Sequence, residues 1–206
     1  MPAPTHRVLF LPGARGDGAY WRPVAERLPP RYERVFLDWP GLGDVPPDPR
    51  VASFDDLTAL VTARMDRPVD LVAQSMGGVV AVRAALARPD RVRHLVLAAT
   101  SGGVDLAPFS VEDWRPAYRE AYPAAPAWLL SYRADLSARL SEIRTPTLLL
   151  WGNSDPISPV AVGEYLTSLL PRSKLVVIPG GSHTFADEQP DEVAPYIAAH
   201  LAVDLP

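Results

Sequence analysis

One short turn constrains the fold of this chain more than any other segment. Residues 74–78, Gln-Ser-Met-Gly-Gly, separate an apolar run of strand length, residues 69–73, from a longer apolar run, residues 79–87. The second run is too long for a strand and is apolar on nearly every face, which predicts a buried helix. Small residues two positions before and after Ser75 allow a sharp strand-to-helix turn. The pattern therefore predicts a serine held out of the sheet at the positive end of a helix, where a nucleophile would be exposed.

Strand-like and helix-like segments alternate along most of the chain. Continuous apolar strands that alternate with helices predict an α/β fold, a three-layer sandwich with a doubly wound, mostly parallel sheet. The predicted strands are residues 7–11, 34–37, 69–73, 92–98, 147–151 and 174–178. The predicted helices are approximately residues 20–27, 54–65, 76–87, 159–169 and 190–201.

Residues 105–143 interrupt this alternation. The segment is dense in tryptophan and tyrosine, which predicts short packed helices rather than a disordered linker. It follows the fourth strand, so it is expected over the carboxyl ends of the strands, where open α/β sheets bind ligands. We predict a lid inserted into a single domain of residues 1–206, with Trp114 and Trp128 as candidate substrate contacts. A cap with a purely structural role is the alternative.

The composition excludes several classes of function. The 206 residues suit one domain, and a 48% hydrophobic content with a net charge of −4 is ordinary for a soluble globular protein. The absence of a basic surplus argues against nucleic acid as a partner. The absence of cysteine excludes disulfides, thiolate metal sites and cysteine nucleophiles. The N-terminal residues lack an apolar signal region and no apolar run reaches membrane-spanning length, so a cytoplasmic protein without a membrane partner is expected.

Five segments together resemble the α/β-hydrolase family over nearly the whole chain. They are residues 9–13 with Trp21, residues 38–43, Ser75 in its turn, residues 151–155 and residues 180–183. The resemblance implies the chain order nucleophile, acid and histidine as Ser75, Asp155 and His183, with no cofactor. It also implies a strand order of 2-1-3-4-5-6.

The sequence departs from the family pattern at two positions. Ala73 replaces the first glycine of the turn around the nucleophile, and this change keeps a small side chain. Pro12 replaces the usual histidine before the glycine of the loop after the first strand, which removes a supporting contact.

His183 is the candidate base, because a serine hydroxyl needs a base to remove its proton as it attacks. Among the four histidines, only His183 lies in a predicted loop just past a strand. His6 opens the first strand at the opposite end of the sheet, His94 lies within a strand, and His200 lies at the end of the last helix. A surface-loop histidine without a catalytic role is the alternative.

Two aspartates compete for the role of the acid that orients this histidine. Asp155 follows a predicted strand at the same sheet edge as Ser75, and it is favoured because Gly152 and Pro159 flank it in the family's usual spacing. Asp105 follows the preceding strand, where some members of the fold place their acid. A helix N-cap is the structural alternative for Asp155.

The donors that stabilise an oxyanion should be backbone N–H groups. Met76, directly after the nucleophile, supplies one from the helix N-terminus, and the resemblance implies Ala14 for the other. The glycines near residues 13–18 with Asp38 suggest a dinucleotide site only weakly, because their spacing is not G-x-G-x-x-G. The only lysine, Lys174, lies in neither a Walker A loop nor a Tyr-x-x-x-Lys pair, and no two histidines form a local metal-ligand pair.

These patterns predict a serine hydrolase that cleaves a carboxylic ester or a related small acyl compound through an acyl-enzyme. A thioesterase or a C–C bond hydrolase or lyase would use the same triad. A non-catalytic ligand receptor on the same scaffold also remains open. The sequence indicates neither the natural substrate nor the oligomeric state.

Overall fold

A six-stranded parallel sheet forms the centre of the protein. The computed structural model describes residues 6–133 and 135–203. Residues 1–5, part of the segment in which no signal region is predicted, lie outside the described residues. The strands are β1 (His6–Leu11), β2 (Tyr32–Phe36), β3 (Val69–Gln74), β4 (Val92–Ala98), β5 (Thr147–Gly152) and β6 (Ser173–Ile178). Their order is β2-β1-β3-β4-β5-β6 with every pairing parallel, which confirms the predicted order and fold class.

Helices cover both faces of the sheet. They are α1 (Arg22–Arg27), α2 (Phe54–Thr62), α3 (Met76–Ala87), α4 (Arg115–Ala121), α5 (Ala127–Ser131), α6 (Ser137–Leu140), α7 (Val160–Leu169), α8 (Phe185–Glu188) and α9 (Pro190–Leu201). Alternate side chains of β1 enter different cores, because successive residues of a strand face opposite sides of the sheet. Leu9 and Leu11 pack with α2, α3 and α7, whereas Val8 and Phe10 pack with α1, α8 and α9.

The observed element bounds differ from the predicted ones mostly at helix ends. The predicted first helix is divided into a 3-10 turn, Gly18–Trp21, and α1, whose first turn contains Pro23. Proline suits this position because its missing N–H has no intrahelical partner there. The four-residue helix α8 was not predicted, since a helix this short shows no periodicity in the sequence. The helices predicted at residues 76–87 and 190–201 have the predicted bounds.

Residues 105–143 contain the three short helices α4, α5 and α6 between β4 and β5. Tyr118 fastens this segment to the loops that follow β1 and β2. Its hydroxyl donates to the carbonyl oxygen of Ala14 at 2.7 Å and accepts from the N–H of Gly43 at 3.0 Å. Burial raises the pKa of Tyr118, which keeps the hydroxyl proton available for donation. Across residues 6–133 and 135–203, no helix is long and apolar enough to cross a membrane.

Candidate active site

Ser75 occupies a strained turn between β3 and α3. Its backbone has φ +52° and ψ −124°, a conformation that costs a non-glycine residue about 1–3 kcal/mol. Hydrogen bonds to the segment at the end of β4 hold the turn. The N–H of Ser75 donates to the carbonyl oxygen of Ala98 at 2.9 Å, and the hydroxyl of Thr100 donates to the Ser75 carbonyl oxygen at 2.5 Å. A Cβ on Gly77 would lie 2.2 Å from the carbonyl oxygen of Pro12, so this position requires glycine. The surrounding structure therefore compensates for the strain and presents the hydroxyl of Ser75.

The structure brings Ser75, His183 and Asp155 into one hydrogen-bonded chain. The Nε2 atom of His183 lies 3.0 Å from the Ser75 hydroxyl oxygen, and its Nδ1 atom lies 2.7 Å from a carboxylate oxygen of Asp155. The side chain of Asp155 is fully buried, whereas that of His183 is 21% exposed. With a donor proton on Nδ1 toward the carboxylate, Nε2 is left to accept the serine proton, as a general base must.

Asp155 is held rigidly by the turn that follows β5. Its second carboxylate oxygen accepts from the N–H groups of Ile157 at 2.9 Å and Ser158 at 3.0 Å. The rival acid, Asp105, is exposed and accepts from the N–H of Ala107 at 3.1 Å. Of the two candidate aspartates, the structure thus places Asp155 against His183.

Close backbone packing positions the loop that carries His183. A Cβ on Gly152, at the end of β5, would lie 2.2 Å from the carbonyl oxygen of Gly181. The N–H of Ser154 donates to that same carbonyl oxygen at 2.9 Å. The histidine loop therefore lies directly on the loop that carries Asp155, and a side chain at Gly152 would separate them.

Two further residues, which the sequence patterns did not predict, hold this loop. Gln74 is buried beside the nucleophile, and its side-chain amide donates to the His183 carbonyl at 3.0 Å. Glu188 accepts from the hydroxyls of Ser182 at 2.8 Å and Thr184 at 2.5 Å, the two neighbours of His183. The Thr184 and Ser182 hydrogen bonds hold the pKa of Glu188 below its usual range. A polar residue at the end of a strand, directly before the nucleophile, was a usable signal for Gln74. Nothing in the sequence distinguishes Glu188.

The two predicted oxyanion donors lie in the loops expected of them. Met76 is the first residue of α3, so its N–H has no partner within the helix. Within the described part of the chain, no hydrogen bond engages the N–H of Ala14. Two tryptophans anchor the loop that carries Ala14. The indole N–H of Trp21 donates to the carbonyl oxygen of Leu11, and that of Trp39 donates to the carbonyl oxygen of Pro12. Both N–H groups are thus available to an oxyanion.

A cavity of about 610 Å³ opens beside Ser75 and His183 and is covered by the segment of residues 105–143. This volume is typical of a small-molecule site. Its wall is mostly apolar, and its charged side chains come from the covering segment. The apolar lining includes Phe54, Met76, Val79, Val104, Leu106, Phe109, Val111, Trp114, Leu129, Tyr132 and Ile157. Of the two predicted tryptophans, the described lining includes Trp114 but not Trp128, which packs edge-on against Phe54 with ring centres 5.7 Å apart.

The other histidines lie away from this cavity. His94 is buried and makes a 2.8 Å hydrogen bond to Asp70 at the amino-terminal half of the sheet. His200 packs against His94 and donates to Pro146, and burial lowers the pKa of His200 to about 4. Among the described residues, no cluster of three histidine, aspartate or glutamate side chains is arranged to hold a metal ion.

The glycine-rich loop after β1 is also accounted for structurally. Asp38 accepts from the N–H of Gly18 at 2.8 Å, so this carboxylate ties the loop after β2 to the loop after β1. A Cβ on Gly18 would lie 2.5 Å from the Leu37 carbonyl oxygen. Glycine at this position allows the two loops to pack closely. The glycine-rich sequence of this loop is therefore explained by packing, and a nucleotide-binding site is not needed to account for it.

Two family models match this chain. A family model described as "Alpha/beta hydrolase family" matches residues 8–136, and one described as "alpha/beta hydrolase fold" matches residues 106–190. A pimeloyl-[acyl-carrier protein] methyl ester esterase from Nitrosomonas europaea is 28% identical over 222 residues, covering 85% of this chain and 88% of the relative.

Solved structures show the same fold. A thermophilic esterase from Thermogutta terrifontis superposes with a TM-score of 0.78 at 26% identity, covering 97% of this chain and 90% of that one. A meta-cleavage product hydrolase from Pseudomonas fluorescens also gives a TM-score of 0.78, at 19% identity and with 97% and 91% coverage, which shows a shared fold alone. The strand order, the turn at Ser75 and the family-model matches together establish that the chain belongs to the α/β-hydrolase family.

Proposed function

We propose that the protein is a serine hydrolase that cleaves a carboxylic ester through an acyl-enzyme formed on Ser75. The observation that carries the proposal is the hydrogen-bonded chain from Ser75 through His183 to the buried Asp155, located at the wall of a largely apolar cavity. A receptor needs only the cavity, whereas these three hydrogen-bonded side chains meet the geometric requirements of nucleophilic catalysis.

The first half of the reaction acylates the enzyme. Ser75 attacks the ester carbonyl while His183 takes its proton, and the N–H groups of Met76 and Ala14 stabilise the negative charge on the carbonyl oxygen. Asp155 stabilises the imidazolium that forms. The tetrahedral intermediate then collapses, His183 gives its proton to the leaving alcohol, and an ester bond to Ser75 remains.

The second half releases the acid. Water enters the space vacated by the alcohol, and His183 removes a proton from it as it attacks the acyl carbon. Collapse of the second tetrahedral intermediate returns that proton to Ser75 and frees the carboxylic acid. Every proton is thus carried by His183, and the reaction consumes one water.

The relatives support an ester as the bond that is cleaved. A relative that this chain matches over 88% of the relative's length is named a methyl ester esterase, and a structural neighbour at 26% identity is an esterase. Attack on an ester, a thioester or a C–C bond differs in the leaving group, so the triad itself does not distinguish them.

A substrate panel tests this proposal. We expect purified protein to hydrolyse p-nitrophenyl acetate and butyrate with an initial burst of nitrophenol, because the acyl-enzyme accumulates when deacylation is slow. The matched butyryl thioester and a vinylogous 1,5-diketone serve as the comparison substrates. Faster turnover of the thioester or the diketone than of any ester would overturn the ester assignment, and binding without turnover would favour the receptor.

A further inference from the structure

We propose that Tyr132, stacked on Phe54, forms the end wall of the acyl subsite and limits the length of the acyl chain that the enzyme accepts. This inference rests on the proposed function and concerns its substrate class. The two rings line the active-site cavity on one side and a second cavity of about 300 Å³ on the other. They are therefore the partition between the two spaces.

The direction of the acyl chain follows from the path of the proton. His183 delivers a proton to the leaving alcohol, so the alcohol must lie on the His183 side of the reacting carbon. The acyl chain then extends the other way, along the first turn of α3, where Met76 and Val79 line the cavity. Helix α2 packs on α3 and begins at Phe54, so the chain is directed toward the ring pair.

The partition is well packed. The ring centres of Phe54 and Tyr132 lie 3.6 Å apart with the planes inclined by 22°, and Trp128 meets Phe54 edge-on from the far side. Phe54 is 5% exposed and begins a helix capped by Ser53, whose hydroxyl accepts from the Asp56 N–H. A side chain held in this way does not yield easily to an advancing acyl chain.

The hydroxyl of Tyr132 is held separately from its ring. A guanidinium nitrogen of Arg83 donates to it at 3.3 Å, while Arg83 also donates to Thr58 at 3.2 Å and pairs with Asp55. Arg83 lies in α3, and its contacts with Thr58 and Asp55 attach its side chain to α2. It thereby holds Tyr132, which follows the last residue of the lid helix α5. The end wall is therefore built jointly by the lid and by the helix layer beneath it.

The second cavity offers room for additional methylene groups beyond this wall. Besides the two partition rings, its lining consists of Trp128 and the polar or charged residues Ser53, Asp55 and Arg83. Removal of the Tyr132 ring takes away the part of the partition that the lid supplies, and we expect this to open a path from the first cavity to the second. The structure therefore predicts a preference for short and medium acyl chains that is relaxed when this single ring is removed.

The test compares p-nitrophenyl laurate with p-nitrophenyl butyrate as a ratio of kcat/KM values. We expect Tyr132→Ala to raise the laurate-to-butyrate ratio by about tenfold or more over wild type. Tyr132→Phe keeps the ring and is expected to keep the wild-type ratio. Tyr122→Ala is the matched control, since it removes a lid tyrosine that is not among the described lining residues of either cavity.

An unchanged ratio in Tyr132→Ala, or an equal rise in Tyr122→Ala, would overturn the assignment. If Tyr132→Ala does not fold, as judged by its thermal melt, Tyr132→Leu is read in the same way, because leucine keeps apolar bulk without the flat ring. Failure of the proposed function gives a different result, because the wild-type protein would then hydrolyse neither ester. The assignment of an acyl subsite would be wrong in that case as well.

Discussion

Replacing Ser75 with alanine is expected to lower kcat/KM for p-nitrophenyl butyrate by about 10⁴-fold or more, because no other group can replace the attacking oxygen. The hydroxyl of Ser75 makes a 3.0 Å hydrogen bond to Nε2 of His183 and lies at the cavity, so its loss should leave the packed core intact. The rate of ester hydrolysis measures the effect, and a thermal melt within a few degrees of wild type is the control. A variant that keeps about a tenth of the activity would show that Ser75 is not the nucleophile.

Asp155→Asn is expected to reduce kcat by about 10³ to 10⁴-fold, whereas Asp105→Asn should cost about tenfold or less. The asparagine can still accept from Ile157 and Ser158 through its carbonyl oxygen. Its amide nitrogen, however, would then donate to Nδ1 of His183. The ring proton would lie on Nε2, which could no longer accept the proton of Ser75. The two variants differ from wild type by the same chemical change, so each controls for the loss of one negative charge.

Steady-state kinetics on both variants decide between the two aspartates. Should Asp105→Asn prove the more damaging, the acid follows β4 rather than β5, and the 2.7 Å contact between Asp155 and His183 would be structural.

The sheet and the position of the nucleophile were predictable because they depend on short-range patterns. The apolar runs that became β3 and α3 differ in length and periodicity, and the intervening glycines permit one kind of turn. The partnership of Asp155 with His183 was predictable for a related reason. Both residues follow parallel strands, and the carboxyl ends of parallel strands meet at one edge of the sheet.

The cavity wall was not predictable because it depends on how distant segments pack. Trp114 and Trp128 lie in the same aromatic-rich segment, yet the first lines the active-site cavity and the second lies behind Phe54. The partner of Phe54 is Tyr132, which is far away in the sequence, and no local periodicity encodes that contact. Glu188 was missed for a different reason. Its partners Ser182 and Thr184 lie close to it in the sequence, but the two hydrogen bonds depend on an irregular turn before α8 that has no periodic pattern.

The central claim is that Ser75 is a nucleophile activated by His183 and Asp155. Its most direct test is to treat the wild-type protein with a small fluorophosphonate and to locate the adduct by peptide mass spectrometry. The claim predicts one adduct, on Ser75, that forms at least about 10²-fold more slowly in His183→Ala, because the base is then missing. Protein that hydrolyses esters but carries the adduct on another residue, or reacts at Ser75 equally fast without His183, would contradict it.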